Sequence, residues 1–377
     1  SVATAPAAQG AAPTVTPQPA AAEERGAEIW ATPQGFIKAA LANHAVTKAA
    51  KDGLTVSFTV DGKHRYVGTI NARNQVERVQ TWIDNPVLGD TLYETRFGDY
   101  KDFGGIQFPA TISRSLGGHP ILKIAVANVS ANGAVDIAAP AQANTPPAVT
   151  VTVNKLGEGV FYLTGGSHHS VAIEQRDHIV VVEAPLNEER SLAVIAKVKE
   201  TIPGKPIKYL VNTHAHFDHS GGLRTYVAEG ATIVTQKANA PYYQKAWAAP
   251  HALNPDLLAK SNAQRTAKAR FKTFGDKLVL PDAQRPVEIY QIAGNSHNDA
   301  FALVYLPSEK VLIEADAYTP AAANAAPSSA APNPYSVNLY RNVQQLKLDV
   351  GRIAPLHGRQ VTLADLRAAI GQANAAQ

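Results

Sequence analysis

Thr213-His214-Ala215-His216-Phe217-Asp218-His219 decides how the rest of the chain is read. Three histidines and an aspartate stand within six residues, after the apolar run Ile207–Val211 and before Ser220-Gly221-Gly222. Imidazole nitrogens and carboxylate oxygens are the donors that zinc, iron and manganese take. Ile207–Val211 reads as a short buried strand, so the donors gather where a strand ends. On an extended or turning backbone His214 and His216 point the same way, leaving Asp218 and His219 to face a second point. One loop can then serve two cations about 3.5–4 Å apart, the spacing of two-metal hydrolases.

A length of 377 residues allows two domains, each with its own core. The net charge of +4 shows no basic block and gives no support for nucleic acid or an anionic membrane surface as the main partner. No apolar run reaches the roughly 18–20 residues of a membrane-spanning helix. There is no cysteine, so disulfides and thiolate ligands are excluded, and any metal site is built from oxygen and nitrogen. Residues 1–24 are rich in Ala and Pro and begin at Ser1. They are expected to be a disordered tether left by signal-peptide removal, which points to a periplasmic or secreted protein. Oligomeric state leaves no mark in the sequence.

Residues 25–137 read as an α+β domain. Thr32 is a helix cap with Pro33 in the first turn, and the apolar stripe Phe36, Ile37, Ala40 and Leu41 carries the helix to about Ala50. Leu54–Val60 alternates at period two, Asp61-Gly62 turns, and Arg65–Ile70 returns. Gln75–Ile83, Thr91–Phe97, Ile106–Ser115 and Ile121–Val129 are further strands. The stretch Asp99–Pro109 is similar in pattern to the curved sheets of bacterial outer-membrane lipoprotein-sorting proteins. That similarity implies a lipid- or substrate-holding surface, with a structural appendage as the alternative.

Residues 138–148 read as a linker and 149–377 as the second domain. Val149–Val153, Gly159–Leu163, Val171–Glu174 and His178–Glu183 are strand-like, the last around the continuous apolar run Ile179–Val182. Asn187 caps a helix with Glu188 and Glu189 in its first turn. A short helix over Leu223–Ala228 and a strand over Ala231–Thr235 follow the histidine loop. Residues 239–275 read as irregular to helical, either a lid or a surface excursion. Downstream, Val287–Ile292 ends in a Gly/Asn/Ser turn that carries His297. Phe301–Leu306 and Lys310–Glu314 form a hairpin ending in Glu314-Ala315-Asp316, whose carboxylates at i and i+2 share one strand face. Ile353–Leu356 leads to His357 beside Gly358.

The His-x-His-x-Asp-His loop, with His297, Asp316 and His357 at later strand ends, resembles the signature of the metallo-β-lactamase-fold hydrolases. The resemblance spans roughly residues 150–370 and implies an α/β fold, an αββα sandwich, here preceded by the smaller α+β domain with an antiparallel sheet. It implies that His214, His216 and His297 hold one divalent cation and that Asp218, His219 and His357 hold another, with Asp316 between them. Zinc is the default, and iron or manganese is chemically open. The implied activity is hydrolysis of an ester, thioester or lactone carbonyl in a small-molecule substrate. Hydroxide made available by the two cations at neutral pH would be the nucleophile, oriented by Asp218. Asp316 tilts the reading away from β-lactams, because many β-lactamases carry cysteine or serine there. β-Lactam hydrolysis and a non-catalytic envelope- or lipid-binding role with a structural metal are the alternatives. Two departures stand out. Ala315 replaces a frequent glycine, and Glu183 replaces the aspartate that normally buttresses the loop. His168 and His169 lie in a turn that rims the cleft in this fold, as substrate contacts or plain loop residues. Tyr318 is a candidate oxyanion donor, and Thr319–Pro334 is an insertion near the site.

Overall fold

The computed structural model describes residues 2–4, 14–16, 19–134, 148–263, 269–323 and 331–372. They fall into two units, Ser1–Ala148 with Pro250–Asn254, and Val149–Ala249 with Pro255–Gln377.

In the first unit seven antiparallel strands follow one another in chain order. They are Val46–Ala50, Gly53–Val60, His64–Asn71, Val76–Asn85, Gly89–Asp102, Gln107–Leu116 and His119–Ala125. Every second residue faces inward, as the pleat requires: Val56, Phe58 and Val60 pack with Val79, Ile83, Tyr93 and Phe97 against Ala27, Phe36 and Ala39. Those last three come from the helices Pro19–Trp30 and Pro33–Ala42. The Thr32 hydroxyl accepts from the Gly35 N–H at 3.1 Å and so caps the second helix.

Two expectations are corrected here. The helix ends at Ala42, not near Ala50. His44 turns the chain at φ 49°, and the β-branched Val46 and Thr47 open a strand that pairs with Gly53–Val60. The expected tether is helical at its end, since residues 19–24 belong to Pro19–Trp30, and Val2–Thr4 pairs with Thr14–Thr16. Residues 5–13 and 17–18 of that tether, and 138–147 of the expected linker, lie outside the described residues.

The second unit has two mixed sheets packed face to face between helices. The first sheet runs Thr152–Gly157, Val160–Thr164, Ser170–Glu174, Ile179–Val182, Ile207–Val211, Thr232–Gln236 and Arg270–Phe274. Its early strands are antiparallel and its last four are parallel. All four residues of Ile179–Val182 are fully buried. Val180 and Val182 face the second sheet, while Ile179 and Val181 face Val194, Ile195 and Val198 of the helix Glu188–Thr201. Burial on both faces is why this strand lacks alternation, and each such side chain contributes about 1.5–3 kcal/mol.

The second sheet runs Lys277–Leu280, Val287–Gln291, Ala302–Leu306, Val311–Glu314, Arg352–Pro355 and Val361–Thr362. Leu339 and Val343 of the helix Pro334–Gln345 and Leu366 of the helix Leu363–Ala369 share its core. This is the αββα arrangement. The first strand lies later than expected, at Thr152–Gly157. The stretch 239–275 is mostly regular: helices Asn239–Ala246 and Leu257–Ala263, then a strand pairing parallel with Thr232–Gln236. Within it residues 264–268 lie outside the described residues, as do 324–330 of the expected insertion.

Candidate metal centre

Ile207–Val211 delivers the histidine loop to the edge where the two sheets meet. Asn212, Thr213 and His214 continue the strand fully buried, and the chain then turns into the short helix Phe217–Ser220. Two glycines let this turn close. A Cβ on Gly221 would stand 1.9 Å from the Leu186 carbonyl oxygen, and one on Gly222 would stand 1.9 Å from Ser191 Oγ. At Gly221 no other residue fits so near a backbone, and at Gly222 a Cβ would displace the Ser191 side chain.

Glu183 ends the buried strand at φ 73° and is itself fully buried. Its carboxylate accepts from Asn212 Nδ2 at 3.1 Å, from the Thr213 hydroxyl, and from His219 Nδ1 at 3.2 Å. The Thr213 hydroxyl, having donated to Glu183, accepts from His214 Nδ1 at 3.0 Å. Glu183 therefore orients the rings of His214 and His219 together, and both turn Nε2 inward. Asn212 also donates to the His214 carbonyl at 2.8 Å, and its Oδ1 accepts from the buried Tyr243 hydroxyl at 2.7 Å.

The distant residues arrive at the same place. His297 Nε2 lies 3.3 Å from His214 Nε2, and the His216 and His297 rings are 4.6 Å apart. His357 Nε2 lies 3.0 Å from His219 Nε2. The His357 Nδ1 faces the Ser167 carbonyl at 3.3 Å, so its Nε2 is the nitrogen turned to the cluster. Asp316 spans the two groups. Its Oδ2 stands 2.8 Å from His297 Nε2 and 3.4 Å from His214 Nε2, and its Oδ1 stands 2.8 Å from His357 Nε2 and 3.1 Å from His219 Nε2. Asp218 Oδ2 approaches His219 Nε2 at 3.5 Å and His168 Nε2 at 3.2 Å. Metal-competent donors thus form two main clusters, His214, His216, His297 and Asp316, and His168, Asp218, His219 and His357. Inward-facing nitrogens roughly 3.3 Å apart match the edges of a shell with bonds near 2.0–2.1 Å, so this donor set fits divalent metal.

Electrostatics agree. Burial pushes His214 down to about 4, so its ring is neutral near pH 7. Burial also lowers His297 and His168. For His219 burial works the same way, but the carboxylates of Asp316 and Glu183 outweigh it and raise the ring to about 10. Burial opposes ionisation of Asp316, yet His214, His219 and His357 hold it ionised far below the usual carboxylate range. Asp218 is also lowered against burial, by His219 and His168.

A second layer escaped sequence reading. The turn carrying His297 is pinned by the helix Pro334–Gln345. Asn342 Oδ1 accepts from the Ala293 N–H at 2.9 Å, Asn338 Nδ2 donates to the Ala293 carbonyl at 3.0 Å, and Asn295 Oδ1 accepts from the His297 N–H at 2.9 Å. Tyr335 packs edge-on to His297 at 5.3 Å. Asparagines in a polar stretch give no sequence signal until the helix is placed.

Three expectations change. His169 turns from the cluster, with its Nε2 2.9 Å from the Gly358 carbonyl and its ring against Tyr162. Tyr318 is buried in the core between the sheets, where Asp365, Arg359 and Glu314 are the charges that act most on its hydroxyl. Glu314 is not one of the clustered donors, although the charges of Asp316 and His219 act on it. Fully buried, its Oε2 accepts from the Tyr318 N–H at 2.9 Å, and burial pushes its carboxyl well above the usual range.

An αββα sandwich with histidine and aspartate clusters at its strand ends defines a class of metal-dependent hydrolase folds. Residues 163–357, more than half of the chain, match the Metallo-beta-lactamase superfamily, and the chain belongs to it. Among solved structures, a metallo-beta-lactamase from Pontibacter korlensis is 18% identical over 60% of this chain and 100% of its own, at a TM-score of 0.44. The metallo-beta-lactamase from Hirschia baltica is 20% identical over 59% and 97%, at 0.43, and the DIM-1 metallo-beta-lactamase 15% over 60% and 98%, at 0.44. No curated protein matches the chain.

Proposed function

We propose that this chain is a dinuclear, metal-dependent hydrolase of an ester, thioester or lactone carbonyl in a small molecule. The observation that carries the reading is Asp316, whose two oxygens face two different histidine groups at 2.8–3.4 Å. His214, His216 and His297 would hold one cation, Asp218, His219 and His357 the other, and Asp316 both. Zinc suits this nitrogen and oxygen set best, with iron or manganese next. Bound cations supply hydroxide near neutral pH and a Lewis acid for a carbonyl oxygen.

The chain's own residues do the rest. Glu183 and Thr213 hold the imidazoles in the tautomers that expose Nε2. The Asp218 side chain is 47% exposed and, held ionised by His219 and His168, is a standing acceptor for a proton of the attacking water. Asp316 keeps its charge between the two groups and so favours cations over protons there.

Metal analysis of the purified protein, with a panel of esters, thioesters, lactones and a chromogenic β-lactam, tests the proposal on wild type and Asp218→Ala. We expect metal in both proteins and carbonyl hydrolysis lost in the variant. Less than one metal per chain with no turnover of any substrate overturns the enzyme reading. Turnover of the β-lactam alone replaces the substrate class.

A further inference from the structure

We propose that His168 is a direct ligand of the second cation, beside Asp218, His219 and His357. The inference rests on the dinuclear reading above. Three observations place His168 there. Backbone pairing comes first: His168 forms an antiparallel bridge with His357, and the neighbouring His169 N–H donates to the Leu356 carbonyl at 2.9 Å. Residues opposite each other in such a bridge project to one side, and the two rings lie 4.1 Å apart, centre to centre. Convergence is the second observation. One donor atom each from His168, Asp218, His219 and His357 lies within 4.8 Å of all the others. A residue that served only Asp218 would have no reason to approach both remaining imidazoles.

The third observation is how the turn is held. Arg190, 3% exposed, donates to the carbonyls of Thr150 at 2.6 Å, Thr164 at 3.1 Å and His168 at 3.4 Å. Among the described residues no carboxylate forms an ion pair with it. A buried guanidinium is costly, and here it ties the turn that carries His168 to the strand Val160–Thr164 and to Thr150. Ser167 Oγ lies 2.8 Å from His168 Nδ1, which leaves Nε2 to face the cluster. The second site would then draw on His168, Asp218, His219, His357 and Asp316, and the first on His214, His216, His297 and Asp316.

Zinc competition titrations with a chromophoric chelator, and visible spectra of the cobalt-loaded protein, test this on the full chain. We expect wild type to bind two ions. His168→Ala should keep the first, lose affinity for the second by at least about tenfold, and change the cobalt spectrum. His168→Gln can still donate a hydrogen bond to Asp218 but is a poor ligand, so it should lose the second ion as His168→Ala does. A His168→Gln protein that binds both ions with wild-type affinity and spectrum overturns the inference and leaves His168 as a hydrogen-bond partner of Asp218. Wild type binding fewer than two ions overturns the dinuclear reading itself, and the inference with it.

Discussion

The two donor groups are built differently, although they share Asp316. In the His214 group, tautomer control is indirect: the Glu183 carboxylate reaches His214 through the Thr213 hydroxyl, and the turn that carries His297 is pinned at Ala293 by asparagines from a helix far along the chain. In the His219 group Glu183 touches the imidazole itself, and Asp218 adds a second carboxylate. Direct contact with Glu183, together with Asp316, is why His219 binds a proton so firmly, whereas at His214 burial prevails. On the proposed dinuclear reading, loading the second site would displace that proton, whereas His214 is ready as a neutral donor.

This contrast can be broken in several ways. Asp316→Ala removes the one residue common to both groups. The hydrolytic rate should fall on the order of 10³-fold, since cation stabilisation at such sites is worth several kcal/mol. An unchanged rate would remove Asp316 from the machinery. Glu183→Gln should weaken metal binding about 10–100-fold, more in the His219 group, where contact is direct. Titration curves with equal losses at both sites would contradict the difference drawn here.

Proton linkage sharpens the same point. In the cation-free protein His219 is raised from 6.5 to about 10, so its stabilisation is full below pH 6.5 and is lost as pH rises through about 10. His214 is depressed from 6.5 to about 4, so its neutral ring costs stability as pH falls from 6.5 towards 4. Zinc uptake near pH 7.5 should therefore release the His219 proton, in addition to the one lost as bound water becomes hydroxide, read by calorimetry in buffers of different ionisation enthalpy. Heats independent of buffer would refute this. A smaller effect is expected for Asn342→Ala, which frees the turn of His297: about 1–2 kcal/mol in thermal or urea unfolding, with weaker binding confined to the His214 group. Least affected should be Tyr318→Phe. Its ring is core material, and the rate should stay within about twofold, under about 0.5 kcal/mol.

Much of this site was legible in the chain because its central part is local. Ile207–Val211 and Leu223–Ala228 form as read, since an apolar run of strand length and a Gly-Gly boundary leave little choice between them. His297, Asp316 and His357 each follow a strand, and that position, with the family likeness, drew attention to them. What stayed hidden depends on partners far away in sequence. The place of His168 is set by a bridge to His357, and Tyr243 lies in the stretch read as a lid or a surface excursion until its hydroxyl is seen on Asn212. Strand Arg270–Phe274 looks polar because it is the edge of its sheet, with outward positions exposed. In the first unit the helix overran because Val46–Ala50 has no apolar pattern of its own and is made a strand by its hairpin partner.

The most direct test of the account is the number of cations per chain with and without the shared carboxylate. Equilibrium zinc titration of wild type should give two ions, and Asp316→Ala at the same free zinc should hold at most one. A wild type that stops at one ion, or an Asp316→Ala protein that still holds two, would contradict the claim that Asp316 joins the two groups into a single centre.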